Sequence, residues 1–189
     1  TGSFDFYTRK TKDLLATVPS AAGTNFNKTV LTNVGNVNSH GIEANINVKA
    51  IVTLDWGWDI SANATWQSQK IKNLSLVKGT TTTNTSAGPK IDSYYFQVLS
   101  EGYAPYMFYV YHQLYDTKGK PIEGAYADLD GNGEINSKDL YRYHSPAPDW
   151  IFGFSTSLRF RKWTLSTSLR ANIGNYAYNG MVMNTGAWS

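Results

Sequence analysis

Four segments alternate between apolar and polar residues over nine to thirteen positions, the pattern of β-strands that present one apolar face. They are residues 42–54 and 58–66, Trp150–Phe160 and Trp163–Ile173, and a shorter strand is expected over residues 4–9. None of these segments contains proline. Strands of globular proteins usually run about 5–6 residues, whereas a tilted strand that crosses a bilayer needs about 9–11. The pattern therefore predicts an all-β fold of long antiparallel strands.

The connections between the strands are of two kinds. Residues 55–57 and 161–162 form very tight turns, and everything else between strands is long and polar. Four aromatic residues with the parity of the apolar positions flank the tight turns: Trp56, Trp58, Phe160 and Trp163. Short turns at one end, long loops at the other and aromatic rings at the edge of an apolar band are typical of outer-membrane barrels.

A soluble β-sandwich also alternates apolar and polar residues, so this alternative stays open at the level of pattern. Composition excludes other classes of protein. The chain has no Cys, which rules out disulfides, thiolate metal sites and cysteine catalysis. Its formal net charge is only +3 and no basic run is present, so nothing indicates a nucleic-acid surface.

Strand parity divides the chain into three parts. Residues 1–71 are expected to hold barrel strands and one long extracellular loop, at residues 14–38. Residues 72–149 are expected to form a large structured extracellular loop region, and residues 150–189 a barrel hairpin and the start of the next loop. Because the chain begins with Thr1 rather than Met, we expect a processed chain or a segment of a longer one.

One motif carries definite chemistry. Residues 128–139 read DLDGNGEINSKD, which matches a twelve-residue calcium loop with Gly133 at its sharp turn and Ile135 as its apolar anchor. The predicted metal ligands are Asp128, Asp130, Asn132, Glu134 (through its carbonyl), Asn136 and Asp139. The alternative is a plain Asp-Gly turn whose carboxylates cap the backbone. The flanks do not form two amphipathic helices, so the predicted role of bound Ca²⁺ is to stiffen an external loop.

A tyrosine-rich stretch precedes this motif. Tyr103, Tyr106, Tyr109 and Tyr111 are candidates for stacking on a sugar or a peptide, and the alternative is that they pack the small core of the loop region. The three histidines lack metal-ligand spacing, no nucleophile motif is present, and no carboxylate pair can be identified. We therefore predict that the chain is not an enzyme.

Several blocks, taken in order, resemble a known family. They are FDFYTRKTKDLL at residues 4–15, NVGNVNSHGIEANI at 33–46, GYAPYMFYVYHQLYD at 102–116, YADLDGNGEINSKDLY at 126–141 and SPAPDWIFGFSTSLRFRKWTLS at 145–166. Together they resemble the late barrel of SusC/RagA-family TonB-dependent outer-membrane transporters.

The resemblance implies a barrel of about 22 strands with an internal plug, in the outer membrane of a Gram-negative bacterium of the Bacteroidetes. It also implies import of glycan oligosaccharides or peptides, powered by TonB through an N-terminal part that this sequence lacks, together with a SusD-like surface lipoprotein.

About five strands cannot close such a barrel, so the isolated fragment is expected to pack as an open sheet or a sandwich, or to associate with itself. The alternative function is a soluble carbohydrate-binding β-sandwich module with a calcium-stabilised loop. That alternative requires Trp58, Phe152 and Leu165 to be sealed inside.

Overall fold

The computed structural model describes residues 1–20, 23, 26–27, 29–74, 84–91 and 93–180. The elements are β1 (Gly2–Pro19), β2 (Thr29–Val52), β3 (Trp56–Asn73), β4 (Thr85–Ile91), β5 (Tyr94–Leu99), β6 (Met107–Tyr111), β7 (Gln113–Tyr115), β8 (Pro121–Tyr126), a short 3-10 helix (Ser137–Asp139), β9 (Leu140–Arg142), β10 (Trp150–Phe160) and β11 (Trp163–Ile173). No helix in the described part of the chain is both long enough and apolar enough to span a membrane.

The five long strands form one antiparallel sheet in the order β1-β2-β3-β10-β11. Their register is in phase, so residues of one parity line up in rows across the sheet. In one such row Phe4 pairs with Ala44, Ala44 with Ala64, Ala64 with Phe152, and Phe152 with Ala171. The predicted all-β antiparallel fold is confirmed, and it is an open sheet.

The two faces of this sheet differ completely. The first, called here the apolar face, carries the parity of Phe4, Trp58, Phe152 and Leu165. Phe4 is 73% exposed and Leu165 is 72% exposed, while Trp58 and Phe152 are each 37% exposed. A sandwich would bury these side chains against a second sheet, so the structure does not support the sandwich alternative.

The other face, called here the polar face, is joined by side-chain hydrogen bonds between strands. Asn45 donates to the hydroxyl of Ser3 at 2.6 Å, and Ser61 donates to the amide oxygen of Asn47 at 2.6 Å. Glycine occurs on this face where a large side chain lies over the backbone. A Cβ added at Gly41 would lie 2.6 Å from the ring of Tyr7 and 2.6 Å from the backbone carbonyl oxygen of Trp66, so a larger residue has no room there.

Strands β3 and β10 pair directly although residues 74–149 separate them, so this segment, called here the excursion, leaves and returns at one end of the sheet. It holds a four-stranded sheet in the order β4-β5-β6-β9 and the hairpin β7-β8. A small core of Val37, Ile71 and Leu74 joins the excursion to the main sheet. Val37 and Ile71 have the parity of the polar face, so the excursion packs over that side.

The first two strands are longer than the sequence pattern predicted. The expected short strand at residues 4–9 extends to Pro19, and the loop expected over residues 14–38 is wrong in its bounds, because β2 begins at Thr29. The expected loop is rich in polar residues such as Asn, Ser and Thr. They are instead cross-strand partners on paired β-structure, and an irregularity in register near Asp13, whose φ is 59°, lets β1 continue.

Candidate functional site

The acidic loop, residues 128–139, is built around three carboxylates. One oxygen from each of Asp128, Asp130 and Asp139 lies within 4.8 Å of the other two, so this triad could hold a metal ion. Asp128 and Asp130 are exposed, whereas Asp139 is fully buried. The loop therefore has a fixed acidic base and two carboxylates open to solvent.

The carboxylate of Asp128 organises the turn. Its Oδ1 accepts hydrogen bonds from the backbone N–H groups of Gly131 at 2.7 Å and Asn132 at 3.2 Å, and its Oδ2 accepts from Gly133 at 2.7 Å. Gly131 and Gly133 have φ of 70° and 84°, which favours glycine over any residue with a side chain. The sequence DGNG thus folds so that its amide groups converge on one carboxylate.

Asp139 holds the two ends of the loop together. Its Oδ1 accepts from the backbone N–H of Leu129 at 2.8 Å, and its Oδ2 accepts from that of Asn136 at 2.8 Å. The backbone N–H of Asn136 has the largest effect on the pKa of the Asp139 carboxyl and lowers it, whereas burial of the carboxyl raises it. The N–H of Leu129 lowers it again, and the net shift is downward from the ordinary value of 3.8. Asp139 is therefore an anion at neutral pH.

The other predicted ligands have roles of their own in the loop. The side-chain oxygen of Asn132 accepts from the backbone N–H of Glu134 at 2.7 Å, and that of Asn136 accepts from Lys138 at 3.0 Å, capping the 3-10 helix. The carbonyl of Glu134 accepts from the amide of Asn136 at 3.3 Å. Geometry thus groups three of the six predicted ligands as a carboxylate cluster and places the other three along the same turn.

The four candidate tyrosines do not form one site. Tyr103 lies against the guanidinium of Arg142, 4.3 Å from ring centroid to Cζ, and Tyr109 lies 6.0 Å from the same group. Tyr111 packs on Tyr126 with ring centroids 5.4 Å apart. Tyr106 lines a cavity next to the main sheet.

This cavity, of about 470 Å³, lies between the polar face and the excursion. Polar side chains on its sheet side include Arg9, Ser39 and Gln67, and Tyr106 and prolines of the excursion lie on the other side. Tyr106 lies in the turn that leads into β6 and has φ of 60°, a left-handed conformation that is strained for a bulky residue. The volume of the cavity falls in the range of ligand pockets, about 300–1,000 Å³.

Sequence reasoning missed two features of this region. The first is the cavity itself, since parity places Arg9 and Gln67 on the polar face but cannot show that the excursion folds over them. The second is Arg142, whose Nη2 donates to Asn84 at 2.7 Å and whose Nε donates to the buried hydroxyl of Ser100 at 3.1 Å. No signal in the sequence brings these three distant residues together.

Comparison with known proteins identifies the family. No family model matches the chain. The TonB-dependent receptor SusC of Bacteroides thetaiotaomicron is 41% identical over 97% of this chain. The chain is a segment of a SusC-family TonB-dependent receptor. The TonB-dependent receptor P3 of Formosa agariphila is 30% identical over 98% of the chain. The chain spans about a fifth of the length of these relatives, 18% of the first and 20% of the second.

Solved structures share the fold of this chain. The RagAB peptide transporter matches with a TM-score of 0.67 and 23% identity over 92% of this chain and 19% of that one. The RagAB peptide importer in its open-open state matches with a TM-score of 0.70 over 92% of this chain and 18% of that one. The predicted family and the predicted membership of a large barrel are confirmed. TonB-dependent receptors are non-enzymatic outer-membrane β-barrels of Gram-negative bacteria, as the sequence indicated.

Proposed function

We propose that the five long strands form part of the wall of an outer-membrane transporter that imports glycan oligosaccharides or peptides with energy supplied through TonB. The observation that carries this proposal is the exposed apolar face of the main sheet. Its outer rows, at Trp163 and Ile173, are ten residues apart along β11. At about 3.3 Å per residue and a tilt of about 40°, this corresponds to a band of about 25 Å, the height of the apolar band on a membrane barrel.

Transport is tested with the whole receptor in its own bacterium. Deleting its gene is expected to abolish growth on, and uptake of, one class in a panel of labelled oligosaccharides and peptides, and restoring the gene is expected to restore both. Equal uptake of every compound with and without the gene would contradict the proposal.

We propose that residues 72–149 lie outside the cell, while residues 1–71 and 150–189 form the wall and its loops. The direct pairing of β3 with β10 supports this division, because it leaves no place for another crossing strand between them. A protease site inserted at Gly119, a turn residue of the β7-β8 hairpin, is expected to be cut on intact cells. The same site inserted after Arg161, in the tight turn, is expected to be cut only after the outer membrane is permeabilised, and the opposite result would reverse the orientation.

For the substrate, we propose that Tyr106 provides a stacking surface within the cavity, while Tyr103, Tyr109 and Tyr111 hold the excursion together. An aromatic ring in a cavity that also holds polar groups, including Arg9 and Asp149, suits both sugar and peptide ligands. Tyr106→Ala is expected to raise the concentration for half-maximal uptake without reducing the amount of receptor. Tyr115→Ala, at an exposed tyrosine of β7, is the matched control and is expected to leave uptake unchanged.

We also propose that the acidic loop binds Ca²⁺. Calcium binds oxygen ligands at about 2.3–2.6 Å, so the ligand oxygens around one ion lie within about 5 Å of one another, as the oxygens of the triad do. Calcium is expected to slow hydrogen exchange of residues 128–139 in the whole receptor. Asp128→Asn with Asp130→Asn should abolish that effect, whereas Asp116→Asn, outside the triad, should preserve it.

A SusD-like surface lipoprotein is the proposed partner at the outer opening. Matches to structures of the two-component RagAB transporter support this proposal. The tagged receptor is expected to co-purify with one lipoprotein encoded beside it, and to lose that partner when residues 112–127 of the excursion are replaced by a short linker. Purification of the unaltered receptor without any lipoprotein would contradict the proposal.

A further inference from the structure

The apolar face carries two charged residues over the regularly paired, described parts of its five strands. These are Lys10 of β1 and Lys70 of β3, and both pair with Asn38 of β2, so they occupy one row of the sheet. The polar face, in contrast, carries acidic and basic residues scattered along the strands, such as Asp5, Glu43, Asp59 and Arg170. Two cations in one row, on a face whose other regularly paired positions carry no charge, form a distinct feature, and Lys72, two residues beyond Lys70 on β3, has the same parity.

This row lies just beyond the apolar band. The last apolar row contains Phe6, Ile42 and Trp66, and the lysines follow four residues later on the same strands. Four residues at about 3.3 Å each and a tilt of about 40° give a height of about 10 Å above that row. The headgroup region of a bilayer extends about 5–8 Å beyond the hydrocarbon on each side, so a lysine that bends its side chain toward the membrane reaches it.

Both lysines are exposed, and neither takes part in the two ion pairs found among the described residues. The opposite end of the band is different, because Arg161 in the tight turn pairs with Asp55 at 3.2 Å. Lys10 and Lys70 lie two strands apart, about 10 Å between their Cα atoms, so both flexible side chains can reach one anionic group. Their charges are therefore available to a ligand at the end of the sheet where the excursion lies.

We propose that Lys10 and Lys70 bind the phosphorylated headgroup of a lipid in the outer leaflet of the membrane. This inference depends on the proposed function only for the orientation of the barrel, with the excursion outside. Lysine is a common phosphate ligand that acts as a point charge, and phosphate is the anion that membrane lipids present at this depth. The row between, Thr8, His40 and Ser68, contains no acid, so the headgroup can approach without meeting one.

The test uses the whole receptor, extracted in mild detergent and examined by native mass spectrometry with phosphorylated lipid A, chemically dephosphorylated lipid A or inorganic phosphate. The wild-type receptor is expected to retain phosphorylated lipid A in preference to the dephosphorylated form. Each basic residue near a membrane surface contributes about fivefold in binding, so Lys10→Gln with Lys70→Gln should weaken retention of the phosphorylated form about thirtyfold. Lys10→Arg with Lys70→Arg keeps both charges and should preserve it.

The matched control is Lys118→Gln with Lys120→Gln, which removes two exposed charges from the β7-β8 turn and should leave lipid retention unchanged. Equal loss in this control, no preference for the phosphorylated lipid, or binding of inorganic phosphate without lipid would each overturn the proposal. Outer-membrane insertion and substrate uptake are measured on the same variants. If the Lys10→Gln, Lys70→Gln variant loses lipid retention but takes up substrate normally, the lipid site is supported independently of transport. A wild-type receptor that imports nothing would instead contradict the proposed function.

Discussion

A charge placed at the centre of the apolar face should destabilise the barrel. The same charge on the next residue of the strand, which lies on the polar face, should not. Leu169 of β11 is 62% exposed and lies on the apolar face opposite Phe154. It is six residues from Trp163, so it stands about 15 Å above the first row and within about 3 Å of the middle of the band. Arginine at the midplane on the lipid face of a barrel costs about 2–4 kcal/mol, so Leu169→Arg should cost that much.

Two control substitutions sit on the same strand. Ser168→Arg places the charge on the polar face, where it stays in water, and Trp163→Arg places it at the edge of the band, where the cost is about 0–1 kcal/mol plus the lost aromatic contact. The assay is reversible urea unfolding of the intact receptor in lipid vesicles, followed by tryptophan fluorescence. Equal destabilisation by Leu169→Arg and Ser168→Arg, or a larger effect of the latter, would refute the assignment of the apolar face to lipid.

Three further substitutions test other parts of the structure. Gly41→Val should destabilise the sheet by about 1–3 kcal/mol because its Cβ would lie 2.6 Å from both the ring of Tyr7 and the backbone carbonyl oxygen of Trp66, and Tyr7→Ala should relieve only the part due to the ring in a double-mutant cycle of urea unfolding. Arg142→Met leaves the hydroxyl of Ser100 without its guanidinium partner, and faster hydrogen exchange in β5 and β9 should report a loosened excursion while the main sheet is unaffected. Because its pKa is lowered, Asp139 should keep the acidic loop ordered as pH falls to about 3.8, with order lost as pH falls through the lowered pKa. Asp139→Asn should loosen the loop already at pH 7, and a wild-type loop that melts near pH 5 would contradict this.

The sheet was predictable because its signal is local and repeated. Period-2 alternation located β10 and β11 at their observed bounds, Trp150–Phe160 and Trp163–Ile173. The pattern weakens where strands leave the apolar band, since neither face there needs apolar residues. This is why the extension of β1 to Pro19 and the start of β2 at Thr29 were missed.

The acidic loop was also readable from sequence, because its chemistry depends on spacing within twelve residues. The cavity beside Tyr106 was not, because it depends on how the excursion folds back over the polar face. The contact of Arg142 with Asn84 joins residues 58 positions apart, and no periodic pattern records such a pairing. Alternation thus reveals which face a residue occupies, but not what covers that face.

The most direct test of the lipid-facing assignment uses the absence of Cys from the sequence. Single cysteines introduced in turn from Thr164 to Asn172 of the whole receptor can each carry a spin label, and collision with oxygen or with a water-soluble nickel complex can be measured in a bilayer. We expect strict alternation, with Leu165, Thr167, Leu169 and Ala171 accessible to oxygen and the residues between them accessible to nickel. Uniform accessibility to nickel at all nine positions, or protection of the apolar positions from both reagents, would show that this face does not contact lipid.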